Sequence, residues 1–219
     1  RLNPAFDFGY SMAETSSGER IPLSITKVSS DKWDIILANN RAVTSGEVTY
    51  MYRFAGNLAE AGYLARTTAP DIGELVVFNY AAPAWDSNLG HETLRIVYPI
   101  EVPADAAWSG ASDGRPGTNP GDEVGPDFLE SIKFRTEKWV NERYLVSYLV
   151  TEHDGKRLFT LRLHQNNVPA NTALRYQIYV EARHFTFAEM AAPSEPAIVP
   201  PPAYPDESPV RKAGSFPGK

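Results

Sequence analysis

Apolar and polar positions alternate with a period of two over much of the chain, the pattern of strands with one face buried and the other wet. Residues 74–99 show it most clearly. Leu75, Val76, Val77 and Phe78 form a β-branched and aromatic block, and further on Leu94, Ile96 and Tyr98 alternate with Thr93, Arg95 and Val97. Between these two strands Pro83 prevents a continuous ladder and Trp85 offers a large apolar face, so the corner is expected to fold back over the sheet.

The same pattern predicts strands on either side. Phe6, Phe8 and Tyr10 alternate as a short strand with one aromatic face. Residues 21–28 and 33–38 read as a hairpin across the turn at 29–31. Val48, Tyr50, Tyr52 and Phe54 face one way along residues 47–54, while 55–65, with Gly56 and Gly62, reads as one helical turn or a compact loop. In the second half, 144–151 and 157–163 form a hairpin through His153, Asp154 and Gly155, because Asp-Gly suits the positive backbone angles of a tight turn. Leu174, Tyr176, Ile178 and Val180 mark a third strand with these residues inward, and residues 129–140 are assigned a fourth.

Many short strands joined by turns, with 18 prolines, 15 glycines and 11% aromatic residues, give an all-β prior, and 42% apolar residues can fill a core. The expected fold is an antiparallel β-sandwich built as one or two sandwich-like units, with an extended Pro-rich C-terminal arm. Residues 109–127 are dense in Gly, Pro, Asp and Ser, which makes them the expected boundary. That places a first β unit at 1–108, a loop or linker at 109–127, a second β unit at 128–192 and the tail at 193–219. The tail carries too few bulky apolar groups to repay its ordering alone.

Charge and composition narrow the chemistry. A net charge of −6, with Lys and Arg scattered, argues against a nucleic-acid partner, which needs a cationic footprint. No window approaches the roughly 20 apolar residues that span a bilayer, so this chain is expected to make no direct span. Zero cysteines exclude disulfides, thiolate zinc sites and Cys nucleophiles, and lean only weakly toward a compartment outside the cytoplasm. The chain starts at Arg1, so a targeting segment or anchor upstream is left open.

Candidate chemical groups do not converge in the sequence. His91, His153, His164 and His184 lack metal-ligand spacing and read as surface or rim histidines. Asp113, Asp122, Glu123 and Asp127 fall in or beside the Gly/Pro loop without a calcium-loop pattern, and read as a solvated acidic linker. Asp86 and Glu92 flank Trp85, with Tyr80 and Tyr98 able to stack on a sugar, but nothing in the spacing makes the two acids a glycosidase pair. No Gly-x-Ser-x-Gly elbow or phosphate-cradling glycine loop occurs. The expectation is therefore no catalytic residues, no cofactor and no metal. Phe54, Tyr80, Trp85, Trp108 and Trp139 stand out as core or interface anchors. Contact residues are expected at Tyr80, Trp85 and Asp86, and along the arm at Pro200, Pro201, Pro202 and Tyr204, where extended backbone suits an aromatic groove.

One stretch carries a family resemblance. The order Gly46-Glu47-Val48-Thr49-Tyr50 with Tyr52, then a small-residue loop, Gly73-Glu74-Leu75-Val76-Val77-Phe78-Asn79-Tyr80, Trp85-Asp86 and a strand ending at Pro99 resembles the extracytoplasmic region of bacterial predicted membrane proteins of unknown function. The similarity covers residues 46–103, and the corner departs from it with Ala81-Ala82-Pro83-Ala84 in place of a polar, Gly-containing turn. The resemblance implies a β-sandwich outside the cytoplasmic membrane and supplies no catalytic residues. Together these features point to a non-catalytic, extracytoplasmic accessory or structural subunit that binds other proteins of a membrane-associated assembly. The alternative is a glycan- or small-ligand-binding module using the Trp85 corner.

Overall fold

The computed structural model describes residues 2–30, 32–82, 84–108 and 123–186. The described strands all pair antiparallel, as expected. The N-terminal strands are β1 (Ala5–Phe6), β2 (Met12–Thr15), β3 (Arg20–Lys27), β4 (Trp33–Leu37), β5 (Val48–Met51) and β6 (Phe54–Ala55). They form a four-stranded sheet in the order β4-β3-β2-β5 and a two-stranded ribbon, β1-β6. The expected hairpin pairs in register from Leu23 with Leu37 to Lys27 with Trp33.

Two differences from the expected strands appear here. Only Ala5 and Phe6 of the first aromatic run are strand, because the Tyr10 amide bonds the Asp7 carbonyl and the Gly9 amide bonds the Asp7 side chain, turning the chain. The strand at 47–54 breaks at Tyr52 and Arg53, with β5 pairing to β2 and β6 to β1.

The remaining strands are β7 (Leu64–Ala69), β8 (Gly73–Ala81), β9 (Leu89–Glu101), β10 (Ala107–Trp108), β11 (Glu123–Val124), β12 (Arg135–Thr136), β13 (Leu145–His153), β14 (Lys156–Val168) and β15 (Arg175–Glu181). They build two sheets, five-stranded β10-β11-β13-β14-β9 and four-stranded β12-β15-β8-β7. The β13–β14 turn has Asp154 at φ 49° and Gly155 at φ 73°, the positive angles that the Asp-Gly pair tolerates.

Inward residues of the two sheets share one core. Leu161, Leu163 and Phe159 of β14, with Tyr98 and Ile100 of β9, face Tyr176, Ile178 and Val180 of β15. Tyr98 stacks on Phe159 with 5.3 Å between ring centroids.

The expected boundary at 109–127 is not where the cores divide. β8 pairs with β15, and β9 with β14, so strands from both sides of that stretch interleave in both sheets. A composition dense in Gly, Pro and Asp does not by itself mark the end of a folded unit. The separate apolar cluster lies instead at Ala13, Ile21, Leu23 and Leu37, in the N-terminal sheet.

The strand assigned to 129–140 is also corrected. The segment folds as α1 (Pro126–Ser131), the short β12, and α2 (Lys138–Arg143). Pro126 supplies a preset φ in the first turn, and buried Phe128 and Ile132, like Val140 and Tyr144, are spaced by four residues, the helical repeat. Those side chains close over the sandwich core.

Phe159 is fully buried against Tyr98, Phe128 and Phe134. Phe159→Ala is expected to cost about 3–5 kcal/mol in urea denaturation. A loss under about 1 kcal/mol would mean that the two sheets do not close on this ring.

Candidate functional site

Three places on the described surface carry side chains beyond what packing requires. The first is aromatic and lies on the N-terminal strands. Phe6 on β1 contacts Trp33 at 5.0 Å, Phe54 at 5.6 Å and Tyr52 at 6.4 Å between ring centroids. Tyr52 and Phe54 remain 50% and 43% exposed. Tyr10, with Arg53 stacked 4.9 Å from its centroid, and Phe8 are more exposed still. Lys27 lies 5.6 Å from the Trp33 ring, so cations border the patch on two sides. The cluster exists because the N-terminal sheet has only four small or medium residues in its own core and nothing large enough to cover these rings.

The second place is the corner after β8. Trp85 is 57% exposed, so its ring does not fold back over the sheet as expected. What ties the corner down is backbone: the Asn171 amide donates to the Trp85 carbonyl at 2.6 Å, and the Ala170 amide donates to Asn88 Oδ1 at 2.8 Å. A shallow cavity of about 310 Å3 lies along Asn88, Leu89, Gly90, Asn167, Val168 and Pro169.

The third place is polar and lies at the β8–β15 end of the sandwich near Lys133. Lys133 Nζ is 2.9 Å from Glu181 Oε1, and Arg183 Nε is 2.6 Å from Glu181 Oε2. Arg66 and Glu74 pair at 3.6 Å on the same cavity wall. His184 is pushed below its ordinary value by burial and then by the Arg183 charge, against the pull of Glu181.

The residues singled out in the sequence scatter over these places. Tyr80 packs inward, stacked 6.2 Å from Tyr176 and edge-on to Tyr63. Asp86 accepts a hydrogen bond from the Ser87 hydroxyl at the exposed corner, while Glu92 accepts one from the Tyr176 hydroxyl between the sheets, so the two acids share no partner. Trp139 packs on the core. Trp108 lies in β10, and Phe54 belongs to the exposed patch. Glu123 is in β11 and Asp127 in α1, whereas Asp113, Asp122, Pro200, Pro201, Pro202 and Tyr204 lie outside the described residues.

His91 and His164 approach to 5.6 Å between rings, and His164 is held by Thr93 and Asn166. Among the described residues, no group of three or more His, Asp or Glu could hold a metal ion. No described helix is long and apolar enough to cross a membrane.

Sequence reasoning missed the joining of Phe6, Trp33, Tyr52 and Phe54. The alternating aromatics in both runs were the available signal, but pairing of β1 with β6 across some fifty residues brings them together. The architecture thus defines an antiparallel β-sandwich with an aromatic-faced N-terminal sheet. No protein-family model matches the chain, and no curated protein or solved structure matches it either.

Glu181 gives a pH-dependent prediction. Its carboxyl is held below the ordinary 4.5, chiefly by the hydrogen bond from Lys133, with Arg183 and His184 adding to this and burial opposing it. A lowered folded-state value stabilises the fold above 4.5 and loses that contribution as pH falls through the folded value. Glu181→Gln is expected to cost about 1 kcal/mol at neutral pH. In chemical denaturation series, its gap to wild type should narrow steadily below 4.5.

Proposed function

We propose that the chain is a non-catalytic docking module: an accessory or structural subunit that binds another protein of a membrane-associated assembly outside the cytoplasm. The observation that carries this reading is the aromatic patch of Phe6, Trp33, Tyr52 and Phe54, bordered by Arg53 and Lys27. Large rings packed on one another yet half open to water are the composition of an interface centre, and flanking cations are the composition of its rim. The resemblance of residues 46–103 to extracytoplasmic regions of predicted membrane proteins supports the compartment, and the scattered carboxylates and histidines support the absence of catalysis.

The test is co-purification from native membranes after mild cross-linking, comparing wild type with Tyr52→Ala/Phe54→Ala. The expected outcome is one stoichiometric partner whose affinity for the double variant falls by on the order of 2 kcal/mol per ring, at unchanged far-UV circular dichroism. A chain that elutes alone from native membranes, or a partner indifferent to both substitutions, rules the reading out.

The Trp85 corner favours a second reading, a glycan- or small-ligand-binding module. Its support is an exposed indole on a backbone fixed at two points, next to the shallow cavity along Asn88 and Pro169. Tryptophan fluorescence during titration with a glycan panel discriminates it. Quenching that disappears in Trp85→Ala supports this reading, and a flat response across the panel removes it.

A further inference from the structure

At the other end of β9 from the Tyr98–Phe159 stack, the inner face of the sandwich turns polar. Glu92 shares the inward side of β9 with Leu94, Ile96 and Tyr98. Its Oε1 accepts a hydrogen bond from the Tyr176 hydroxyl of the opposite sheet at 3.0 Å. Among the described residues no lysine, arginine or histidine pairs with this carboxylate.

Directly across from Glu92, on the same face, stands Gln165 of β14. Its side-chain oxygen is buried and receives no hydrogen bond. Of these two neighbouring groups, the partly exposed Glu92 carboxylate already receives the Tyr176 hydroxyl and can receive the Gln165 amide N–H, whereas the buried Gln165 oxygen receives no donor. A buried acceptor left unmatched costs about 1–3 kcal/mol, so what the Gln165 oxygen lacks is an N–H donor, and the neighbouring Glu92 charge favours a cationic one.

The walls suit a cation as well. Tyr80 and Tyr176 lie nearly parallel, 11° apart in plane, and Tyr63 stands at 83° to Tyr80 with centroids 5.6 Å apart. Tyr144 closes on Tyr176 at 5.0 Å. The π faces of such rings attract positive charge, and more strongly where water is thinned out. Tyr63, Tyr80 and Glu92 are each only partly buried, which leaves the position reachable from the rim. Burial first, then Tyr63, Glu92 and Tyr52, raise the ionisation of Tyr80 above its ordinary value, so its ring stays neutral at physiological pH.

We infer that Glu92, Gln165, Tyr63, Tyr80 and Tyr176 form a binding site for an alkylammonium group, whose N–H bonds satisfy the two acceptors while its charge rests against the rings. The group is either a free small amine or a lysine side chain, and the site stands whether or not the aromatic patch docks a protein. The acceptors set its specificity: a quaternary ammonium offers charge without N–H and satisfies only the rings.

The experiment is an NMR titration of the full chain, following the Gln165 side-chain amide and the Tyr63 and Tyr80 rings. The probes are n-butylammonium, tetramethylammonium and the peptide Gly-Lys-Gly, each at matched chloride concentration. n-Butylammonium is expected to give saturable shifts, with roughly tenfold weaker binding in Glu92→Gln, which loses a charge-assisted hydrogen bond while keeping an acceptor for Tyr176. Gln165→Leu and Tyr63→Leu, each weakening binding several-fold, keep the test open if one variant fails to fold. The peptide binding at least about tenfold more tightly than the free amine assigns the source to a protein lysine, and equal binding assigns it to a free amine. No saturable shift, unchanged affinity in a folded Glu92→Gln, or tetramethylammonium binding as tightly as n-butylammonium overturns the site.

Discussion

The interaction on which the rest depends is the closure of β14 against β15 across the sandwich. Phe159, Leu161 and Leu163 from one sheet and Tyr176, Ile178 and Val180 from the other are almost wholly buried, and every other strand of the sandwich is placed by pairing outward from these two. Hydrophobic burial is non-directional and does not choose partners by itself. The register does that, because a one-residue slip of either strand would turn its apolar set to solvent and its Arg162 or Gln177 inward.

That closure also decides where polar chemistry survives. At the centre the Tyr98 hydroxyl is buried without a hydrogen-bond partner, whereas fully buried Thr160 is matched by the Thr151 hydroxyl. Toward the end of β9 the apolar pairs give way to Glu92, Gln165 and the tyrosines, whose hydroxyls lie at the ends of otherwise apolar bodies. Tyr179 shows the same use on the outer face: its hydroxyl donates to Glu137, and burial with that bond pushes its ionisation up to about 12. Tyrosine suits both settings because a ring can pack while its tip is bonded.

The N-terminal sheet follows the opposite logic. Its cluster of Ala13, Ile21, Leu23 and Leu37 is small, and a small core cannot cover many rings. Phe6, Trp33, Tyr52 and Phe54 therefore pack on one another at the surface. Their packing satisfies part of each ring and leaves the remainder to solvent or to a second molecule.

Strand content, the inward sets of β9, β14 and β15, and the Asp154-Gly155 turn were all legible from residue order, since period-two alternation and turn propensity are local properties. Phe128 with Ile132, and Val140 with Tyr144, carry the four-residue helical spacing after Pro126, so this part too was legible as helix rather than strand. What only the tertiary structure decided was which strands became neighbours. The pairing of β8 with β15 and β9 with β14 merged the two halves, and it set Glu92 opposite Gln165 and beneath Tyr176. Partner choice depends on contacts between residues 57 to 106 positions apart, from Leu158 with Glu101 to Glu181 with Leu75, and no local pattern encodes such a distance.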